Sequence, residues 1–83
     1  MRVWAKLYKD NIIINDVTGS SENAEVAEAL LECLEQIYQE LDLAEPIWLS
    51  KHTRDFSVFR RTKLYPSDFM EKVHFDYCEF IIL

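Results

Sequence analysis

Two pairs of side chains have the types and spacing of a general base with a group to orient it. His52 and Asp55 stand three residues apart, and His74 and Asp76 share one face of an alternating segment. In either pair the carboxylate would hold the imidazole so that its other nitrogen could move a proton. Neither pair comes with a nucleophile. Ser50 and Ser57 lack an elbow-like setting, and Cys78 lies in an apolar run. A metal reading would join His52, His74, Asp76 and Cys78 through tertiary contact, but their local spacing resembles no paired-cysteine zinc motif. A partly buried histidine satisfied by a nearby carboxylate is the ordinary explanation. No catalytic residue, cofactor or metal is therefore expected, and a hydrolase or metal site at His52 or His74 is a minor alternative.

Phosphate-loop chemistry fares worse. Gly19 is the only glycine, and a P-loop or dinucleotide fingerprint needs several. A helix starting at Ser20 or Ser21 would attract an anion, but Glu22 and Glu25 already occupy that electrostatic niche.

The sharper feature is a division of charge along the chain. Residues 22–45 hold eight acidic side chains and no basic one, among them Glu25, Glu28, Glu32 and Glu35. Residues 51–63 hold five basic side chains, including Arg54 and Arg61, against Asp55 alone. Glu28 and Glu32 fall one helical turn apart, where like charges repel by a few tenths of a kcal/mol. A helix tuned only for its own stability would place lysine among these positions. The functional reading is an acidic ridge that meets a positive surface on another molecule. The bland reading is a solvated face, partly neutralised by the chain's own basic segment.

That basic segment interleaves phenylalanines with arginines, as a nucleic-acid surface does. Phe56 and Phe59, however, share the helical face expected to pack inward. With a formal net charge of −6, nucleic acid is a disfavoured alternative partner, carried by Lys51 to Lys63. Trp4, Tyr8, Trp48 and Tyr65 remain, residues that serve interfaces and small cores alike. The hairpin face bearing Trp4, Tyr8, Ile13 and Val17 is the first choice for a partner or dimer surface.

The elements that must position these groups follow from periodicity. Residues 2–9 alternate, with Val3, Ala5 and Leu7 on one face and Trp4, Lys6 and Tyr8 on the other. Asp10-Asn11 supplies a two-residue hairpin turn, and Ile12 to Val17 returns with Ile14 across from Leu7 and Ile13 from Tyr8. Thr18 to Ser21 ends the hairpin and offers hydroxyl caps. The period then becomes 3.6 as far as Asp42. Ala27, Leu30, Leu31, Leu34, Ile37, Tyr38 and Leu41 form the stripe, with Val26 and Cys33 at its margin. Ile47-Trp48-Leu49 reads as a strand or packed connection. Ser50 caps a second helix running to about Arg61, with His52, Phe56 and Phe59 on its inner side. Pro66 to Asp68 marks a turn, and Asp68 to Glu71 one helical turn. Lys72 to Leu83 reads as a strand inside the sheet, apolar on both sides towards its end.

The expectation is one α+β domain over residues 1–83. It has two layers: a small antiparallel sheet, one long helix across it and a second short helix closing an edge or part of the opposite face. At 49% hydrophobic residues the chain can fill a core at a length that buries only about 60–65% of the unfolded surface. Cys33 and Cys78 read as small buried hydrophobes. No signal peptide or membrane-spanning stretch is evident, so a cytoplasmic protein without membrane contact is expected by exclusion. Its anticipated role is non-enzymatic, binding another protein or a second copy of itself.

Overall fold

Asp10 (φ 54°) and Asn11 (φ 64°) both adopt the left-handed backbone that a two-residue hairpin turn requires. They join strand β1 (Arg2–Lys9) to strand β2 (Ile12–Ser20) in the computed structural model, which describes residues 1–83. Tyr8 pairs with Ile13 as expected, but Leu7 pairs with Asn15, because Ile14 is the extra residue of a β-bulge. The one-residue shift moves Val17 opposite Ala5, on the face away from Trp4 and Tyr8. The strand also continues through Thr18, Gly19 and Ser20, where the residue types predict a turn and a helix cap.

Helix α1 (Val26–Glu40) starts later than Ser20 or Ser21, with Glu25 at its N-cap. Ser21 instead exchanges hydrogen bonds with Met1, while the Asn23 side chain accepts the Glu25 N–H. The helix ends at left-handed Asp42, where the Leu43 N–H donates to the Tyr38 carbonyl at 2.8 Å. Its buried line is Ala29, Cys33, Leu34, Ile37 and Tyr38. Cys33 is thus central rather than marginal, and Ala27 and Leu31 are exposed.

Helix α2 (Ser50–Phe59) begins with Ser50 inside the helix, not capping it. His52 Nδ1 accepts the Leu49 N–H at 3.0 Å and closes the first turn from within, as a capping box does. Arg60, left-handed at φ 58°, stops the helix and turns the chain into a strand that periodicity did not reveal, β3 (Arg61–Leu64). Asp68 belongs to a short 3-10 turn, Pro66–Asp68, rather than to a helical turn running on to Glu71. The last strand, β4 (Tyr77–Ile82), is shorter than the stretch from Lys72 and lies inside the sheet.

The fold is a two-layer α+β arrangement. Its antiparallel sheet runs β2-β1-β4-β3, with α1 and α2 both on one face. The second helix therefore does not reach the opposite face, which has no layer of its own. Val3, Ala5, Leu7, Leu64, Cys78 and Phe80 line the covered side. Phe80 meets Tyr38 edge-on at 6.4 Å and Trp48 at 5.9 Å. The Trp48 indole N–H donates to the Tyr38 hydroxyl at 3.0 Å, which ties the connection before α2 to α1. Phe59 was expected inside but is 65% exposed, because α2 stands over the last strand of the sheet with no neighbour beyond it.

Gly19 sets how closely α1 approaches. A Cβ there would lie 2.3 Å from the Cys33 carbonyl oxygen, a backbone atom that cannot swing aside. The φ of Gly19 is not positive, so alanine suits its backbone and would ordinarily add about 0.4–1 kcal/mol through the unfolded chain. Gly19→Ala is nevertheless expected to destabilise by about 1–3 kcal/mol, the usual range for overpacking. Urea unfolding followed by circular dichroism reads the sign directly.

Candidate functional site

The polar side of α1 points away from the sheet and is acidic: Glu25, Glu28, Glu32 and Glu35 are all exposed. The Asn23 amide donates to Glu28 and Glu32 carboxylate oxygens, each at 3.0 Å, so two like charges converge on one side chain. The chain's ion pairs are Lys6–Glu79 and Arg61–Glu79; His52 also lies near Asp68, a contact that becomes an ion pair only when the imidazole is protonated. None touches the ridge, so the basic segment does not neutralise it by contact. The last turn of α1 has no basic residue, and its free carbonyls add negative potential near Glu40.

Beside this ridge runs an apolar groove. Gln36 holds α1 towards β2, accepting the Ser20 N–H at 2.9 Å and donating to the Ser20 carbonyl at 2.7 Å. At the opposite edge of the same face α2 is held to β3, where the Thr62 hydroxyl donates to Asp55 at 3.3 Å. The helices therefore stand apart, and the gap of about 390 Å³ is lined by Leu30, Leu31 and Leu34 of α1 and by Phe56 of α2, over Trp48 and Ile82. Leu31 remains 57% exposed. On the helix surface its neighbours three before and four after are Glu28 and Glu35, which makes them the rim of the groove. An apolar stripe too wide for one sheet contact, bordered by glutamates, was the signal for this groove in the sequence.

The uncovered sheet face carries Trp4, Lys6 and Tyr8 beside Tyr77, Glu79, Arg61 and Lys63. These side chains largely satisfy one another. Trp4 donates to Asp16 at 2.8 Å, Tyr8 stacks on Tyr77 at 4.7 Å, and the Lys6 ammonium lies 4.4 Å from the Trp4 ring centre. Lys6 also pairs with nearly buried Glu79 at 3.3 Å. The neighbouring Tyr8 hydroxyl raises the Lys6 pKa, burial opposes it, and Glu79 adds to the rise. Trp4 and Tyr8 are consequently half-buried, with Ile13 nearby on the hairpin and Val17 on the other side of the sheet.

The histidine pairs do not form as their spacing suggests. Asp55 serves Thr62, whereas His52 Nε2 lies 3.6 Å from Asp68, buried and without a hydrogen-bond partner. His74 is exposed, and Asp76 accepts the Asp10 N–H at the hairpin turn. No three histidine, cysteine or acidic side chains converge in a way that would hold a metal ion. Both cysteines are free and buried. Burial raises the Cys33 thiol and pushes Cys78 up to about 12, so neither offers a thiolate at neutral pH. The arginines are also divided. Arg54 projects from α2, Arg60 donates to the Leu83 carbonyl at 3.4 Å, and Arg61 is on the uncovered sheet face beside Glu79. Of the segment from Lys51 to Lys63, the side chains of Lys51, Arg61 and Lys63 border one depression, Arg54 and Arg60 lie outside it, and Phe56 is buried.

Burial lowers the His52 pKa from its ordinary 6.5; Asp68 opposes this and Lys51 adds to it. The unfolded chain therefore takes up this proton first. The stabilisation from neutral His52 is complete above pH 6.5 and is lost as acid protonates the unfolded histidine. His52→Asn keeps an acceptor for the Leu49 N–H but cannot titrate. Its stability is expected to fall less than that of the parent between pH 7 and about pH 5.5, as read by paired urea titrations. Compared with protein families, curated proteins and solved structures, the chain matches none.

Proposed function

We propose that this chain is a protein-binding module whose α1–α2 groove receives a basic amphipathic helix from another protein. The observation that carries this reading is the coincidence of an open apolar groove with a row of acidic side chains that have no ion-pair partner in the chain. Exposed apolar side chains such as Leu31 would bury against leucine-type residues at about 25 cal/mol per Å². The rim glutamates, Glu28 and Glu35 with Glu25 and Glu32 beside them, would favour lysine or arginine on the ligand's outer face and repel acidic helices. The helix-in-groove mode needs no catalytic group. The half-buried, mutually paired aromatics of the sheet face support a structural role for Trp4 and Tyr8 over a contact role.

The probe is a synthetic amphipathic peptide of leucine and lysine at helical spacing, titrated into isotope-labelled protein. Shifts are expected to centre on Leu30, Leu31, Leu34 and Phe56. Glu28→Lys combined with Glu32→Lys is expected to weaken binding by about tenfold without unfolding the domain, since one attraction at the rim and one beside it become repulsions. Undiminished affinity in that variant, or shifts centred on the opposite sheet face, would overturn the reading.

A further inference from the structure

The two edges of the sheet are finished differently. Met1 and Ser21 exchange backbone hydrogen bonds, so β2 turns the N–H and C=O of alternate residues Gly19, Val17 and Asn15 towards β1. Those of Ser20, Thr18 and Asp16 face outwards. Gln36 satisfies both groups of Ser20, and Asn15 Oδ1 accepts the Asp16 N–H, leaving both groups of Thr18 and the Asp16 carbonyl open on a partly capped edge.

At the other edge the Ile82 N–H donates to the Arg60 carbonyl. The same alternation turns Thr62 and Leu64 towards β4 and directs the backbone groups of Arg61 and Lys63 outwards. The next outward residue, Tyr65, is already closed off by Asp68, which accepts its N–H at 2.9 Å and donates its own to the Tyr65 carbonyl. No side chain covers Arg61 or Lys63 in this way. Along this edge lies a depression of about 490 Å³, bounded by Lys51 and Phe59 of α2, by Arg61 and Lys63 themselves, and by Tyr65. It also reaches two carboxylates, Asp55 and Glu79, the first engaged by the Thr62 hydroxyl and the second by Lys6 and Arg61.

We infer that the β3 edge is a strand-addition site for an extended acidic peptide, which pairs with the backbone of Arg61 and Lys63 between the sheet and α2. An added strand places alternate side chains on opposite faces. On the uncovered face they would meet the cationic heads of Arg61 and Lys63. On the helix side they would meet Phe59, 65% exposed, with Lys51 beyond. The fitting ligand therefore alternates carboxylate and apolar residues. Edge lysines and arginines ordinarily discourage promiscuous pairing, and here they admit only a strand of opposite charge. A second copy of this chain fits less well: two β3 edges would oppose cation to cation, and on β2 half of the outward groups of Ser20, Thr18 and Asp16 are already bonded. This site is separate from the α1–α2 groove and does not depend on it.

The test uses a fluorescein-labelled peptide of alternating valine and glutamate, with hydrogen exchange read residue by residue. In the free protein the Arg61 and Lys63 amides are expected to exchange rapidly and those of Thr62 and Leu64 slowly; peptide should then protect Arg61 and Lys63. Lys63→Pro removes one outward donor, which an edge strand tolerates, and is expected to weaken binding by about tenfold or more with the fold retained. Should that variant unfold, Arg61→Glu with Lys63→Glu supplies the same comparison through charge. Glu28→Lys with Glu32→Lys is expected to leave this binding intact, which separates it from the groove. The inference is overturned if the Arg61 and Lys63 amides are protected without peptide, if the peptide fails to bind, or if both β3 variants bind as well as the parent. It is likewise overturned if an oligothymidylate binds this edge and the peptide does not.

Discussion

The contact between Gly19 and the Cys33 carbonyl governs where α1 can lie. Only hydrogen at that position lets the helix backbone settle directly onto β2, since a methyl group would overlap a backbone oxygen. Gln36, one turn further along, then reaches the exposed backbone of Ser20. The helix is thereby committed to the β2 side of the sheet. With α2 held to β3, the space over the central strands is too wide for the two helices to close at the usual 8–10 Å. Trp48 fills the floor of that space, packing on Phe56 at 5.5 Å and on Phe80 at 5.9 Å, and the remainder stays open as the groove.

Charge is partitioned by the same geometry. The helix layer exposes the glutamates of α1, whereas Lys6, Arg61 and Lys63 lie on the sheet side. Glu79, like Asp16 across from Lys6, is an acid among cations on the uncovered face. Removed from most water, it is stabilised by the ammonium of Lys6 at 3.3 Å and by the more distant Arg61. Desolvation sets much of the Coulombic gain aside in such a pair, so its clearer consequence is to fix the cations across β1, β4 and β3. Within a net charge of −6, a row of unpaired acids is thus gathered on α1, while the sheet face mixes both signs.

Much of the fold was legible in the residues. The alternation from Arg2 to Lys9, the left-handed pair Asp10-Asn11 and the helical period after Glu25 each depend on neighbours within a few positions. Strand β3 was hidden because four residues rich in arginine and lysine carry almost no apolar alternation; only pairing with β4 makes them a strand. The bulge at Ile14 was hidden too, since three consecutive isoleucines satisfy either register. Phe59 misled for a related reason: its helical face was read correctly, but whether anything lay against that face depended on where the sheet ended.

The acidic ridge was legible because it follows from helical periodicity and the absence of lysine between Glu22 and Glu45. By itself the sequence determined all the longer elements but not β3, the general side of each that is apolar, and the division of charge, all of which arise from local geometry and composition. Tertiary structure alone decided that both helices share one face, that Asp55 serves Thr62 while His52 faces Asp68, and that one sheet edge is partly capped and the other open. Those outcomes depend on distances between residues far apart in the chain, and such distances are set only when every element packs against the others at once.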